Sequence, residues 1–295
     1  MGLGMAAVKL NLDLWRQGLF KNVDSVIEMG SQELHLKLSD FEELVRMAGV
    51  SHYRREDFLA LNNWPGVPRC PSRHFYALLG IKNYSCVDLN KVYGAIPLDF
   101  NRPLEDKSLY DKYDMVTDHG ANEHAFNVAE AYRTMHRLCK PGGILTIFQV
   151  LYGGNGYYLF DYPFFEGLAA ANNYRILFSS YIVTTPGMTS SGSDNQFHLP
   201  LSRELLGMLD WSKTRQIAIC YVLQKESNKD FCYPYQNEFL SEIQRHYGFE
   251  LQYLQSPPSR AYVPMYALNT IRGKALLSEA SRRITRKIKS SLGLK

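Results

Sequence analysis

No two cysteines of this sequence stand in a C-x-x-C spacing. The five, Cys70, Cys86, Cys139, Cys220 and Cys232, are scattered and odd in number. That argues against a disulfide framework and against a zinc knuckle, so no metal site is expected, and it fits a reduced, cytoplasmic setting. No apolar run approaches the ~18 residues of a membrane-spanning helix. The start of the chain lacks a basic stretch, an apolar run and a cleavage site in succession, so no secretory leader is expected. Gly2 has Ala6 where a myristoylation signal favours Ser or Thr. Repeats and low-complexity tracts are missing. Charge of one sign is also scarce: the net charge is +4, and much of the excess sits in Arg282, Arg283, Arg286, Lys287, Lys289 and Lys295. So mild a balance does not by itself imply nucleic acid, which is not expected as a partner, although the basic tail could grip phosphates.

Apolar residues at 45% and charged residues at 21% are those of a globular chain. Its 295 residues make one large domain with additions, and a core of that size needs no disulfide or metal. Met5, Val8, Leu12, Trp15 and Leu19 recur at helical spacing over residues 5–20. Ser25 to Gly30 is a short apolar run closed by glycine, a buried strand ending in a turn. Further strands are predicted over 84–88, weakly over 93–96, then over 113–117, 144–150, 175–184 and 216–224. Helices are predicted over 40–48, 74–80, 123–139 and 163–172, the last opened by Pro163.

Strands alternating with helices predict an α/β fold, a Rossmann-like, doubly wound, mostly parallel seven-stranded sheet. It would occupy residues 1–225, with insertions at about 31–73 and 185–212. Residues 226–295 form a C-terminal extension with helices predicted at 236–247 and, basic, at 275–291.

In an open parallel sheet, ligands bind beyond the carboxyl ends of the strands. The residues there are Glu28, Gly30 and Ser31 after the first strand, Asp88 and Leu89 after the second, and Asp118, His119 and Gly120 after the fourth. Gly30 allows a ligand close to the backbone. Asp88 can accept hydrogen bonds from a ribose diol. Glu28 is an acid at an apolar strand end, which is costly unless it meets a cation or donors.

Val26-Ile27-Glu28-Met29-Gly30, Cys86-Val87-Asp88, Tyr113-Asp114-Met115-Val116 and Lys140-Pro141-Gly142-Gly143-Ile144 together resemble the motifs of class I S-adenosylmethionine (SAM)-dependent methyltransferases over residues 23–225. The resemblance implies SAM as cofactor. It places Glu28, Gly30 and Ser31 at the methionine part, Asp88 at the ribose, Leu89 and Asp99 towards the adenine, and Asp118 and His119 beside the sulfonium. Two departures stand out. Gln32 and Leu34 replace glycines of the family's glycine-rich run. Glu28 and Asp88 are also some forty residues further apart than the ~20 usual between first turn and ribose acid.

A neutral nucleophile methylated by SAM must lose a proton. His119 is the candidate base, with Asp118 or Glu123 to orient it. The plainer alternative is that Glu123 and His124 merely open the next helix. His119 and His124 are five positions apart, where a helical pair of metal ligands needs four. Tyr157 and Tyr158, in the glycine- and tyrosine-rich segment after the fifth strand, are candidate substrate residues. The expected acceptor is a small molecule or a glycan, through a hydroxyl. The rival is a non-catalytic SAM-fold protein serving binding or assembly. A nicotinamide oxidoreductase would need glycines that Gln32 and His35 do not supply. The basic C-terminal helix is a candidate for peripheral contact with an anionic membrane.

Overall fold

Neighbouring residues along each central strand pack into opposite cores, the two-residue period that builds the molecule in three layers. The computed structural model describes residues 2–186 and 194–235. The strands are β1 (Gly2–Leu3), β2 (Ser25–Met29), β3 (Glu33–Leu34), β4 (Asn83–Val87), β5 (Tyr113–His119), β6 (Cys139–Tyr152), β7 (Tyr174–Thr185), β8 (Asn195–Leu199) and β9 (Gln216–Lys225). The helices are α1 (Met5–Arg16), α2 (Leu38–Ala48), α3 (Arg73–Leu78), α4 (Val128–Leu138) and α5 (Tyr162–Asn172). Val26, Met115, Ile144, Phe148 and Val222 face one core with α1, α2 and α3. Ile27, Val116, Leu145, Ile147 and Tyr221 face the other with α4 and α5. Both sheet faces are therefore covered, as the continuous apolar strands require.

The main sheet has seven strands in the order β4-β2-β5-β6-β9-β7-β8. Neighbours among β4, β2, β5 and β6 are parallel, while β9 runs antiparallel to both β6 and β7, and β8 antiparallel to β7. Five strands thus share one direction and two are reversed, so the sheet is mixed.

The membership differs from the sequence reading at two places. No strand forms at 93–96: Lys91 and Tyr93 adopt φ of 56° and Gly94 of 78°, left-handed backbone that cannot pair in extended form. Only Ile96 makes a single parallel bridge to Val87. The seventh strand is instead β8, inside the segment 185–212 read as an insertion. Helix 123–139 is shorter than predicted because Asn122–His124 form a separate 3-10 turn before α4. Segment 31–73, read as an insertion, is built into the fold. Its β3 pairs with β1, α2 packs on α1, and Phe41, Phe58 and Leu61 are core residues. The predicted helices at 236–247 and 275–291 lie outside the described residues.

The register between β2 and β5 is fixed at their amino ends by one carboxylate. Asp114 Oδ2 accepts from Ser25 N (2.9 Å), Ser25 Oγ (2.6 Å) and Asp24 N (3.1 Å), and Oδ1 from Lys140 Nζ (2.8 Å). Burial alone would push this carboxyl up, but Lys140 and Ser25 outweigh it and hold it below the usual carboxylate range. A carboxylate held down in this way contributes stability above its ordinary pKa, and that contribution disappears as pH falls. Asp114→Ala is therefore expected to lower unfolding stability at pH 7 by about 1–3 kcal/mol, and by less at pH 3. Urea denaturation at the two pH values measures both, and equal losses would refute the charge-dependent part.

Candidate functional site

The carboxyl ends of β2, β4, β5 and β6 lie along one edge of the sheet, and two features are built there. The first is the pair of loops that follow β2 and β4, tied to each other through Asp88. Gly30 turns the chain at φ 83°, a conformation that side chains disfavour. Asp88 links this turn to its own loop: its Oδ2 accepts from Ser31 N (2.9 Å) and Asn90 Nδ2 (3.1 Å), and its Oδ1 from Asn90 N (3.2 Å). A carboxylate offers about four acceptor sites, so Oδ1 keeps one for an incoming hydroxyl rather than the two a ribose diol would use. Ser31 Oγ donates within the same loop to Asn90 Oδ1 and Val92 O, both at 3.0 Å. Leu89 is 65% exposed beside it. Asp99 lies further along, where Asn101 N and Nδ2 and Arg102 hold its carboxylate below its ordinary range.

Glu28 takes no part in this link between the loops. It is fully buried, and its Oε2 accepts from Ser72 Oγ (2.5 Å) and Tyr84 OH (2.7 Å). Burial pushes its carboxyl up to about 7 against these hydrogen bonds. Its donors come from the chain itself, through residues that no local pattern pairs with it. Gln32 and Leu34 are also fully buried. Gln32 Nε2 donates to Met29 O (2.7 Å), and Leu34 belongs to the α1–α3 core.

The second feature is a cavity of about 780 Å³ beside the β5 and β6 tips. Its wall includes His119, Gly120, Glu123 and Gln149, with His35 and Trp64 from segment 31–73 and the start of α1 opposite. The tips of β2 and β4 lie outside this wall. A single carboxyl shapes its inner end. Asp118, fully buried, accepts from Ala121 N (2.8 Å) and Asn122 N (3.3 Å) through Oδ1 and from Gln149 Nε2 through Oδ2. Burial pushes it up to about 7. Its oxygens are taken up under the turn, where Gly120 has φ 79°, so its role there is to shape the β5 tip.

His119 is 4% exposed, and neither ring nitrogen has a partner among the described residues. No hydrogen bond from Asp118 or Glu123 orients it. Phe148 does so instead, with ring centroids 4.6 Å apart. Burial lowers the imidazole to about 3, so it is neutral at physiological pH. Glu123 spends Oε2 on Val150 N (3.0 Å), while Oε1 lies 3.6 Å from His124 Nε2. Burial raises its carboxyl. Tyr157 is exposed on the loop after β6, edge-on to Phe126, and Tyr158 OH donates to Phe126 O (2.7 Å). Gln149, His35 and Trp64 were not among the residues picked from sequence. Gln149 alone carried a signal, as a polar residue near the end of an otherwise apolar strand.

No family model matches the sequence, and no curated protein matches it either. Solved structures similar in fold include the 1,6-didemethyltoxoflavin N1-methyltransferase of Burkholderia thailandensis, bound to 1,6-didemethyltoxoflavin and S-adenosylhomocysteine. It is 12% identical, with 75% of this chain and 79% of that one covered and a TM-score of 0.39. A candidate methyltransferase of Bacillus halodurans C-125 is 11% identical, with 74% and 100% covered and a TM-score of 0.37. The cyclase SpnF is 15% identical, with 72% and 80% covered and a TM-score of 0.31. These likenesses are too distant to assign a reaction.

Glu28 keeps its proton in the folded chain between its ordinary value near 4.5 and about 7, where the unfolded chain has lost it. Folding stability therefore falls as pH rises through that window. In Glu28→Gln this contribution is gone, and the loss of Tm between pH 4.5 and 7.5 is expected to be smaller than in the wild type. Scanning calorimetry at the two pH values checks it; an identical loss would mean that the buried acid does not titrate as described.

Proposed function

We propose that the chain transfers a methyl group from SAM to a hydroxyl of a small-molecule or glycan acceptor. The observation that carries this reading is His119, a neutral, buried imidazole whose nitrogens have no partner among the described residues, in the wall of the cavity at the β5 and β6 tips. A buried polar group without a partner costs ~1–3 kcal/mol, which a reacting hydroxyl in the cavity would recover.

The loops after β2 and β4 would receive the nucleoside end of SAM. Gly30 leaves its backbone open to close approach, Asp88 Oδ1 retains one acceptor site for a ribose hydroxyl, and Leu89 offers apolar surface to a base. Ser31 and Asp99 border the same loops. Glu28 and Asp118 act from beneath, stiffening the β2 and β5 tips rather than touching the ligand. Bound SAM supplies an electrophilic methyl on a sulfonium, open to in-line displacement. His119 then takes the acceptor's proton. A weak base is sufficient, because an alcohol oxygen becomes strongly acidic as it acquires the methyl. Glu123 adds a second carboxyl to the cavity wall, and Tyr157 and Tyr158 sit on the loop that borders its mouth.

Isothermal titration with SAM tests the reading directly. Binding is expected, and no heat at millimolar SAM would favour the non-catalytic, assembly role. Asp88→Ala should weaken SAM binding by about 1–3 kcal/mol, the scale of a lost hydrogen bond to a charged group; unchanged affinity would remove Asp88 from the ribose. His119→Ala should lower turnover while leaving SAM affinity intact, and full activity in that variant would end its candidacy as base.

A further inference from the structure

Segment 31–73 gives the cavity His35 and Trp64, and one carboxylate joins them to the loop after β4. Glu33, in β3, accepts from Tyr93 OH through Oε1 (2.8 Å) and from Arg69 Nη1 through Oε2 (3.0 Å), and Oε2 lies 3.5 Å from His35 Nε2. Burial alone would raise this carboxyl, but Tyr93 and Arg69 outweigh it and hold it below its ordinary range. As a carboxylate it only accepts. The Arg69 guanidinium lies 5.2 Å from the centre of the Trp64 ring, and that ring stacks on His35 with centroids 4.5 Å apart. Trp64 and His35 line the cavity, while Glu33, Arg69 and Tyr93 stand outside its wall.

This cluster has a second arrangement open to it. A guanidinium pairs best with a carboxylate through two parallel N–H bonds, and here Arg69 gives Glu33 one. Its Nε is buried without a partner among the described residues, and its Nη2 reaches only Pro65 O, at 3.5 Å. Turning the Nε–Nη2 edge towards Glu33 would make both bonds, but Tyr93 occupies Oε1. Tyr93 is itself held at φ 56° and ψ 22°, and Lys91 at φ 56°, left-handed backbone that side chains disfavour. Such backbone persists only where surrounding bonds hold it. Release of Tyr93 therefore relaxes the loop and lets Glu33 take up the buried Nε.

The loop of Tyr93 is also the one placed at the ribose. Exposed Asn90 fills two of the roughly four acceptor positions of Asp88, and Ser31 N fills another. A ribose diol needs two positions, so its second hydroxyl displaces Asn90. Asn90 Oδ1 also accepts from Val92 N (2.8 Å) and Ser31 Oγ (3.0 Å). Its displacement unties the residue next to Tyr93.

We propose that Glu33 is a positioning residue: when a ribose seats at Asp88, Glu33 releases Tyr93, takes the Nε–Nη2 edge of Arg69 instead, and so resets Trp64 in the wall of the acceptor cavity. Nucleoside binding thereby shapes the acceptor site. By reciprocity, an acceptor that fits the reset wall tightens the nucleoside. The trigger rests on the nucleoside placement proposed above; the exchange at Glu33 does not.

Fluorine NMR of the full chain labelled with 5-fluorotryptophan tests the exchange. Trp15, Trp64 and Trp211 give three signals, and Trp64→Phe identifies the one that matters. Tyr93→Phe, without ligand, is expected to shift the Trp64 signal and leave the other two in place. Saturating S-adenosylhomocysteine should bring the wild-type signal to the same position and move it no further in Tyr93→Phe. Calorimetry should show that Tyr93→Phe binds S-adenosylhomocysteine at least about tenfold more tightly, because a hydrogen bond to a carboxylate no longer has to be broken. A tyrosine that merely supported the loop would weaken binding when removed. In Glu33→Gln the Trp64 signal should be the same with and without ligand. An unmoved signal in Tyr93→Phe, a wild-type signal that ignores saturating ligand, weaker binding in Tyr93→Phe, or a response that survives in Glu33→Gln would each overturn the proposal. A shift in Tyr93→Phe with no heat from S-adenosylhomocysteine in either protein would sink the nucleoside reading and keep the exchange.

Discussion

The functional edge of this molecule is organised around the buried carboxyl of Asp118. One of its oxygens gathers the amide groups of Ala121 and Asn122 and so forces the chain to turn sharply at Gly120. The other holds the Gln149 side chain from the adjacent strand. The turn ends β5 with His119 against Phe148, and the side-chain link joins the tips of β5 and β6 into one rigid wall. A buried acid is costly on its own. Here three hydrogen bonds offset that cost in part, and the geometry of the cavity follows from how they are arranged.

The other strand tips use the same device. Glu28 is caged by Ser72 and Tyr84, Asp88 is tied to Ser31 and Asn90, and Glu123 holds the backbone of Val150. Asp88 ties its loop to the one after β2, Glu123 holds β6 near its end, and Glu28 is held by Tyr84 of β4 and by Ser72 just before α3. Several separate segments thereby keep fixed positions at an edge where regular pairing has ended. Such second partners make a site rigid enough to hold reacting groups in place.

The layered α/β fold was legible in the sequence because apolar runs and helical stripes are local signals. Ser25 to Gly30, Tyr113 to Thr117 and Ile144 to Val150 each carry their strand in their own composition. The weak strand at 93–96 failed on backbone sterics that the sequence shows only faintly, two left-handed non-glycine residues within three positions. β8 was missed because its polar residues, Asn195, Gln196 and His198, look like loop until Thr184, Ser180 and the start of α1 are brought against them. Among site residues, the strand-tip positions could be read and their partners could not. Nothing local says that Glu28 meets Ser72, or that His119 rests on Phe148 rather than on an acid. Those contacts span tens of residues and exist only once the sheet has assembled.

The position of β9 has a consequence for how the chain comes together. It lies between β6 and β7, both of which precede it in sequence, and runs against them. Until residues 216–225 have been synthesised, those two strands have no shared neighbour, and each exposes a long apolar edge capable of joining to another molecule. Insertion of β9 closes both edges at once. Because Gln216 and Ala218, near its start, also line the cavity, the step that covers the two open edges is the same step that completes the cavity wall.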